Sequence, residues 1–357
     1  MEKLYSSITM SEAVSVISRI GDKVSVLVQG ESGIGKSSML KMLAELHPTH
    51  IPCYVDMTTK DLGDLMLPKI KTIDGVDVCE FIPNIEFGLH LNKPLIIMAD
   101  ELGKTSKAVL NGVLRLLLEH KMGSYTLPEG SIVFATTNLA VEGLGDNLPM
   151  HVRNRICVIR VAKPTAEQWR WDYAQHAGID PVVIATAIEY PAMFASFEDY
   201  ERPDMNEYIN DPRVPRLAFV TPRSMEKASD ILKACRHMPE DVLTHALLGV
   251  IGERATMDMM NILKLDNTMP SWAEIINKPT TTIVPPNGAA VCLLISKGLT
   301  NIKGDTIDAW MTYLKRLPKE AQALFAMGVM SPKSPNRPIC VSNTEFTQWC
   351  ISHNWMF

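Results

Sequence analysis

Apolar positions follow two regimes along the chain. Over residues 1–163, short apolar runs alternate with stretches of helical spacing, the pattern of a parallel sheet with crossover helices. Strands are predicted at Val24–Gln29, Ile51–Val55, Pro94–Ala99, Ser131–Thr136 and Ile156–Val161. Each is rich in Val, Ile or Leu, as expected for strands covered on both faces. Helices are predicted over Lys36–Leu46 and Lys107–His120. In the second, Val109, Leu110, Val113, Leu114, Leu116 and Leu117 recur at helical spacing. Asp74-Gly75, flanked by Leu67–Lys71 and Val76–Glu80, signals a hairpin.

After Pro164 the strand pattern stops. Ala166–His176 and Pro181–Phe194 read as helices, followed by a Pro- and charge-rich loop over Ser196–Arg216. Helical spacing resumes at Ser224–Arg236 and Glu240–Asn261. Asp266–Gly288, with four prolines, reads as a linker. The remaining chain is predicted helical around Ala289–Gly298, Thr306–Arg316, Lys319–Gly328 and Thr344–His353.

Composition narrows the class. The 357 residues exceed a single typical domain of about 150. A 46% hydrophobic and 21% charged composition excludes wholesale disorder. No run approaches the roughly 20 apolar residues of a membrane-spanning helix. The first residues, Met1–Ser7, lack a signal-peptide layout. Seven cysteines are scattered without a C-x-x-C pair, which favours a reducing, cytoplasmic setting over a disulfide framework or a structural zinc. The net charge of −5 carries no globally basic footprint for nucleic acid.

Four segments carry candidate chemistry. Gly30-Glu31-Ser32-Gly33-Ile34-Gly35-Lys36-Ser37 follows a predicted strand and opens a predicted helix, matching G-x-x-x-x-G-K-[ST] in its required context. The glycines let backbone N–H groups curl around phosphates, and the helix N-terminus adds a positive dipole end. In this arrangement Lys36 reaches the β- and γ-phosphates and the Ser37 hydroxyl ligates Mg²⁺. The strand Leu95–Ala99 ends in Asp100 and Glu101. Asp100 is placed to hold Mg²⁺ through water, and Glu101 to act as general base; as a plain feature, Asp100 would cap the next helix. The strand after Ser131 ends in Asn138, which can orient the attacking water or contact the γ-phosphate, or simply form a turn. Between His151 and Arg170 stand Arg153, Arg155, Arg160, Lys163 and Arg170 against the single acid Glu167. Such a cluster is a solvated face or the source of an arginine finger acting in trans.

Taken in order, these elements resemble an AAA+ ATPase, more narrowly the MoxR branch that includes RavA and CbbQ. The resemblance covers about residues 10–260. It makes Gly30–Ser37 the Walker A loop, Leu95–Glu101 Walker B and Asn138 sensor 1. It also makes Arg155 the finger, with Arg153 as fallback, and Arg223, in Thr221-Pro222-Arg223-Ser224, the sensor 2 contact to the γ-phosphate. The Asp61–Phe81 hairpin and Lys121–Glu129 match the branch's helix-2 insert and pre-sensor 1 hairpin. One departure is Leu102-Gly103-Lys104, where many relatives carry Asn-Arg.

The implied fold is a P-loop NTPase parallel-sheet sandwich with an AAA+ core, followed by an α-helical lid and a helical C-terminal region. The implied layout is an AAA+ nucleotide-binding domain over 1–163, a helical lid over 164–264, and a linker with accessory helices over 265–357. The implied activity is hydrolysis of ATP with Mg²⁺ in a ring, hexameric in this branch. The ring would remodel a client or adaptor protein, often one with a von Willebrand A domain, in a chaperone-like manner. Two alternatives stay open: a DNA-directed motor or loader, against which the acidic balance weighs, and a nucleotide-gated scaffold of negligible turnover.

Overall fold

The computed structural model describes residues 7–139, 152, 154–286, 288–331 and 334–353. The chain divides into two compact units, Met1–Lys163 and Pro164–Phe357.

The first unit is built on β1 (Val26–Gln29), β2 (Ile51–Asp56), β3 (Met66–Ile73), β4 (Val76–Pro83), β5 (Leu95–Asp100), β6 (Lys121–Met122), β7 (Tyr125–Thr126), β8 (Ile132–Thr137) and β9 (Cys157–Arg160). Its helices are α1 (Met10–Ile20), α2 (Ser38–Leu46), α3 (Leu62–Leu65) and α4 (Lys107–Glu119). All five predicted strands form, within two residues of their expected ends. They pair in the order β2-β5-β8-β1-β9, every neighbour parallel.

Alternation along each strand divides the core into two layers. Leu27, Ile97, Ala99, Val133 and Ala135 face one side and pack on Val109, Val113, Leu116 and Leu117 of α4. Val26, Val28, Ile96, Met98, Ile132 and Phe134 face the other and pack on Ala13, Val14 and Ile17 of α1 and Met39 and Leu43 of α2. With both faces covered, β5 and β8 are buried at every position. Helix α1, not anticipated from the apolar pattern, is started by a reciprocal Thr9–Glu12 capping box.

The expected hairpin is an eight-residue ladder pairing Met66↔Pro83 through Ile73↔Val76. Twelve of its sixteen positions are exposed, among them Leu67, Ile70, Ile73, Val76 and Phe81. Its base is tied to the β6–β7 turn, where Ser124 N donates to Phe81 O and Phe81 N to Ser124 Oγ, each at 3.4 Å.

The second unit is helical: α5 (Ala166–Trp169), α6 (Pro181–Glu189), α7 (Pro222–Cys235), α8 (Glu240–Ile251), α9 (Glu253–Thr268), α10 (Trp272–Asn277), α11 (Gly288–Asn301), α12 (Ile307–Leu314), α13 (Lys319–Met330), α14 (Arg337–Ser342) and α15 (Thr344–Ser352). The stretch expected as one helix over Glu240–Asn261 is broken at Gly252, whose φ of 80° and ψ of 173° end α8 and start α9. A side chain there would also sit 2.7 Å from the Ala218 carbonyl. The stretch read as a linker contains α10, held by a Ser271–Glu274 capping box. Helix α14 was hidden because a Pro-rich sequence reads as loop, yet Pro is well accommodated in a helix's first turn.

Helix α11 joins two apolar clusters. Leu293 packs with α5–α9, whereas Leu294, Ile295 and Leu299 pack with α10 and α12–α15 around Trp310 and Phe325. An ion-pair network crosses the same seam. Asp266 of α9, 8% exposed, lies 2.5 Å from Arg236 Nη2 and 2.5 Å from Lys297 Nζ of α11, and Asp180 Oδ2 lies 3.6 Å from Arg236. Burial pushes the Asp180 carboxyl above its ordinary range. Among the described residues no helix is long and apolar enough to cross a membrane.

Removing the shared anion strands Lys297 and leaves Arg236 only its longer pair with Asp180. Asp266→Asn is expected to lower the unfolding free energy by about 1–3 kcal/mol. This is less than the roughly 3–5 of a fully buried pair, because Arg236 keeps solvent contact. Urea denaturation followed by circular dichroism checks it.

Candidate active site

Because the five main strands run parallel, their C-terminal ends share one edge of the sheet. In open α/β sheets, ligands bind outside those ends. β8 lies between β1 and β5 in register, Gln29↔Thr137 and Ala99↔Ala135. The residues that leave these strands, Gly30, Asp100 and Asn138, therefore emerge side by side.

The loop from β1 into α2 adopts a conformation that needs its glycines. Gly33 and Gly35 have φ of 75° and 99°. Ile34 is buried against the α2 side of the core and pins the loop, while Glu31, Ser32 and Gly33 form its partly exposed rim. Lys36, only 6% exposed, donates to Gly30 O at 2.8 Å, Glu31 O at 2.9 Å and Asn138 Oδ1 at 2.8 Å. Three oxygens thus surround one buried ammonium group. Ser37, at the N-cap of α2, makes no side-chain cap; its hydroxyl instead donates to Asp100 Oδ2 at 3.1 Å. The first amides of α2 are met by backbone and not by side chains: Ser38 N donates to Gly35 O at 2.9 Å and Met39 N to Lys36 O at 3.2 Å.

Asp100 is 6% exposed and carries four donors. Oδ2 accepts from Ser37 Oγ and, at 2.9 Å, from Tyr54 OH. Oδ1 accepts from Thr136 Oγ1 and, at 3.2 Å, from the Glu101 amide, which lies equally close to Thr136 Oγ1. Charge-assisted bonds of this kind suit an ionised carboxylate, which only accepts.

Glu101 sits in the left-handed region, φ 56° and ψ 36°, uncommon outside glycine. Lys104 Nζ lies 2.9 Å from Glu101 Oε2, an ion pair out of line with any hydrogen bond. The Lys of the departing Leu102-Gly103-Lys104 sequence thus lies on the acid proposed as base.

The structure brings together Lys36, Ser37, Asp100 and Asn138, with Glu101 adjoining. Arg155 has an exposed side chain in the turn before β9, where its amide donates to Val152 O at 2.9 Å. Among the described residues it makes no hydrogen bond or ion pair with the cluster. Arg153 lies outside the described residues. Arg223, in the second unit, is exposed in the first turn of α7, which is capped by Thr221 and Ser224. Two contributors escaped the sequence reading. Thr136 was visible only as one of several small polar residues ending a strand. Tyr54 carried no signal, since its approach to Asp100 depends on the pairing of β2 with β5.

A divalent cation fits the donor set. A hydroxyl and a carboxylate 3.1 Å apart match the partial, oxygen-only coordination that Mg²⁺ completes with phosphates and water. Among the described residues no group of three or more His, Cys, Asp or Glu could hold a metal.

No family model matches the chain, and no curated protein does. Among solved structures it is similar to RuvB of Thermotoga maritima, a Holliday junction branch migration motor. The identity is 14%, over 84% of this chain and 85% of that one, with a TM-score of 0.36. It is also similar to NtrX from Brucella abortus in complex with ADP, at 14% identity over 86% and 67% of the two chains, TM-score 0.39. Likenesses of this order assign no residue and no chemistry. The fold class rests on the chain's own topology: a five-stranded parallel sheet with a glycine-rich, Lys-Ser-bearing loop between its first strand and the next helix is the P-loop NTPase fold.

Thr136→Val keeps the side chain's shape while deleting a donor to Asp100 and an acceptor for the Glu101 amide. The loss expected in urea denaturation is about 1–3 kcal/mol, the usual effect of leaving a buried polar group unsatisfied.

Proposed function

We propose that the chain is an AAA+ ATPase of the MoxR type, which hydrolyses ATP in a ring, hexameric in that branch, and so remodels a partner protein. The observation that carries this reading is the junction of Lys36 with Asn138 and of Ser37 with Asp100 at one sheet edge. A turn-forming Asn and a helix-capping Asp would not need to meet a loop Lys and Ser from other elements.

In the proposed cycle, Lys36 transfers its donors from the Gly30, Glu31 and Asn138 oxygens to the β- and γ-phosphates. The amides of Gly33–Ser37 close around the phosphate chain. Ser37 and Asp100 hold Mg²⁺, which when bound neutralises charge building on the phosphate oxygens. Glu101 takes up the proton of the attacking water, and Asn138, released by Lys36, orients that water. Arg155, exposed before β9, would act on the site of a neighbouring subunit, and Arg223 in cis as sensor 2. The exposed β3–β4 ribbon supports a partner-directed role, since a solvated two-stranded ribbon bearing Leu67, Ile70, Val76 and Phe81 is an unusual surface for a chain without partners. A client or adaptor with a von Willebrand A domain, and a cytoplasmic setting, belong to the same reading.

Turnover decides between enzyme and scaffold. Glu101→Gln is expected to slow ATP hydrolysis about 100-fold or more while retaining nucleotide binding, the usual scale for loss of a general base. Wild type that hydrolyses no faster than this variant, at ring-forming concentration and with candidate partners, overturns the enzyme reading.

A shared site is tested by mixing. Lys36→Ala and Arg155→Ala subunits are each expected to be inactive alone and to recover activity together; a fully active Arg155→Ala protein would sink the trans assignment. Capture of bound proteins by Glu101→Gln in ATP identifies the client.

A further inference from the structure

We propose that Tyr54 is a positioning residue for the metal-binding carboxylate, setting the affinity of the site for the divalent cation that accompanies nucleotide. The inference rests on the reading of Ser37 and Asp100 as the cation's holders.

Tyr54 stands on β2, the edge strand beside β5. In the β2–β5 register Tyr54 pairs with Met98 and Asp56 with Asp100. Tyr54 and Asp100 thus share one sheet face as diagonal neighbours, a separation that a long aromatic side chain spans. Tyr54 is 48% exposed as a residue, yet its hydroxyl donates to the buried Asp100 Oδ2 at 2.9 Å. Asp56, directly opposite Asp100, is turned away: its Oδ1 accepts from Thr58 N at 2.9 Å and Thr58 Oγ1 at 2.7 Å.

The two oxygens of Asp100 are held differently. Oδ1 is fixed by Thr136 and the Glu101 amide, both from the sheet interior and its immediate continuation. Oδ2 faces the loop, and its partners are Ser37, itself a proposed ligand, and Tyr54. A cation that draws on the Ser37 oxygen perturbs the Ser37 bond, whereas the Tyr54 bond uses the other lone pair of Oδ2 and stays. Tyr54 therefore keeps the carboxylate aimed at the loop through loading and release. It also places a donor, in place of bulk water, against the carboxylate that must attract the cation. Groups that orient a metal's carboxylate in this manner change metal affinity by about 10- to 100-fold when removed.

The experiment is a pair of titrations on the full chain with a fluorescent ATP analogue, one in EDTA and one at fixed nucleotide with increasing Mg²⁺. Tyr54→Phe retains the ring and the fold. The expected result is a nucleotide affinity in EDTA within twofold of wild type, with the half-saturating Mg²⁺ concentration raised about tenfold. An unchanged Mg²⁺ requirement overturns the proposal. So does an equal weakening in EDTA, which would make Tyr54 a structural support of the loop. Wild type that binds nucleotide tightly but indifferently to Mg²⁺ overturns the role of Tyr54 while sparing the phosphate loop. Wild type that binds no nucleotide removes the underlying reading, and the role of Tyr54 with it.

Discussion

A carboxylate placed at the end of a buried strand must be satisfied by its neighbours, and in this fold that requirement falls on Asp100. Deprived of water, an ionised group of this kind is very unfavourable unless donors surround it. The donors come from four separate places: the loop after β1, the middle of β2, the end of β8 and the backbone just past β5. The first three reach Asp100 only because the strands pair in the order observed. Strand order, loop conformation and the start of α2 are therefore mutually dependent, with Lys36 and Asn138 closing the arrangement from the other side. Buried polar networks of this kind gain by being well satisfied, which ties the elements at this edge to one another.

The same coupling explains how the site can serve two purposes. In the arrangement described, Lys36 is held by backbone and amide oxygens, and Ser37 by the carboxylate. Lys36 could pass these hydrogen bonds to other oxygen acceptors, and the Ser37 oxygen keeps lone pairs that its bond to Asp100 does not use. The protein groups thus form a self-satisfied resting cluster whose members are all able to exchange partners.

Much of this was legible in the amino-acid sequence, for definite reasons. Buried parallel strands are continuous apolar runs, so β1, β2, β5, β8 and β9 stood out. The loop is a fixed string of residue types, so Lys36 and Ser37 could be named at once. Asp100 and Asn138 followed because each ends such a run. Tyr54 and Thr136 did not follow, because their importance lies in which strand neighbours which, and parallel pairing between strands distant in sequence leaves no local trace. The helical unit was read less sharply. The apolar spacing of α8 continues into α9, and only the packing of Gly252 against the Ala218 carbonyl reveals the break. Likewise α10 and α14 hide among prolines and threonines, because capping and burial outweigh weak propensity. The seam at α11 was invisible, since adjacent residues Leu293 and Leu294 belong to different cores.

The left-handed backbone at Glu101 has a wider meaning. A side chain there opposes the local conformational preference, and glycine or asparagine would sit more comfortably. A chain shaped by foldability alone would drift toward those residues at this position. An acid stands there all the same, braced by Lys104, so the backbone cost at residue 101 is carried by a side chain that local conformation alone does not favour. Stability-guided redesign of this protein would be drawn to that residue, and if Glu101 is the base proposed above, the sturdier molecule would be an inactive one.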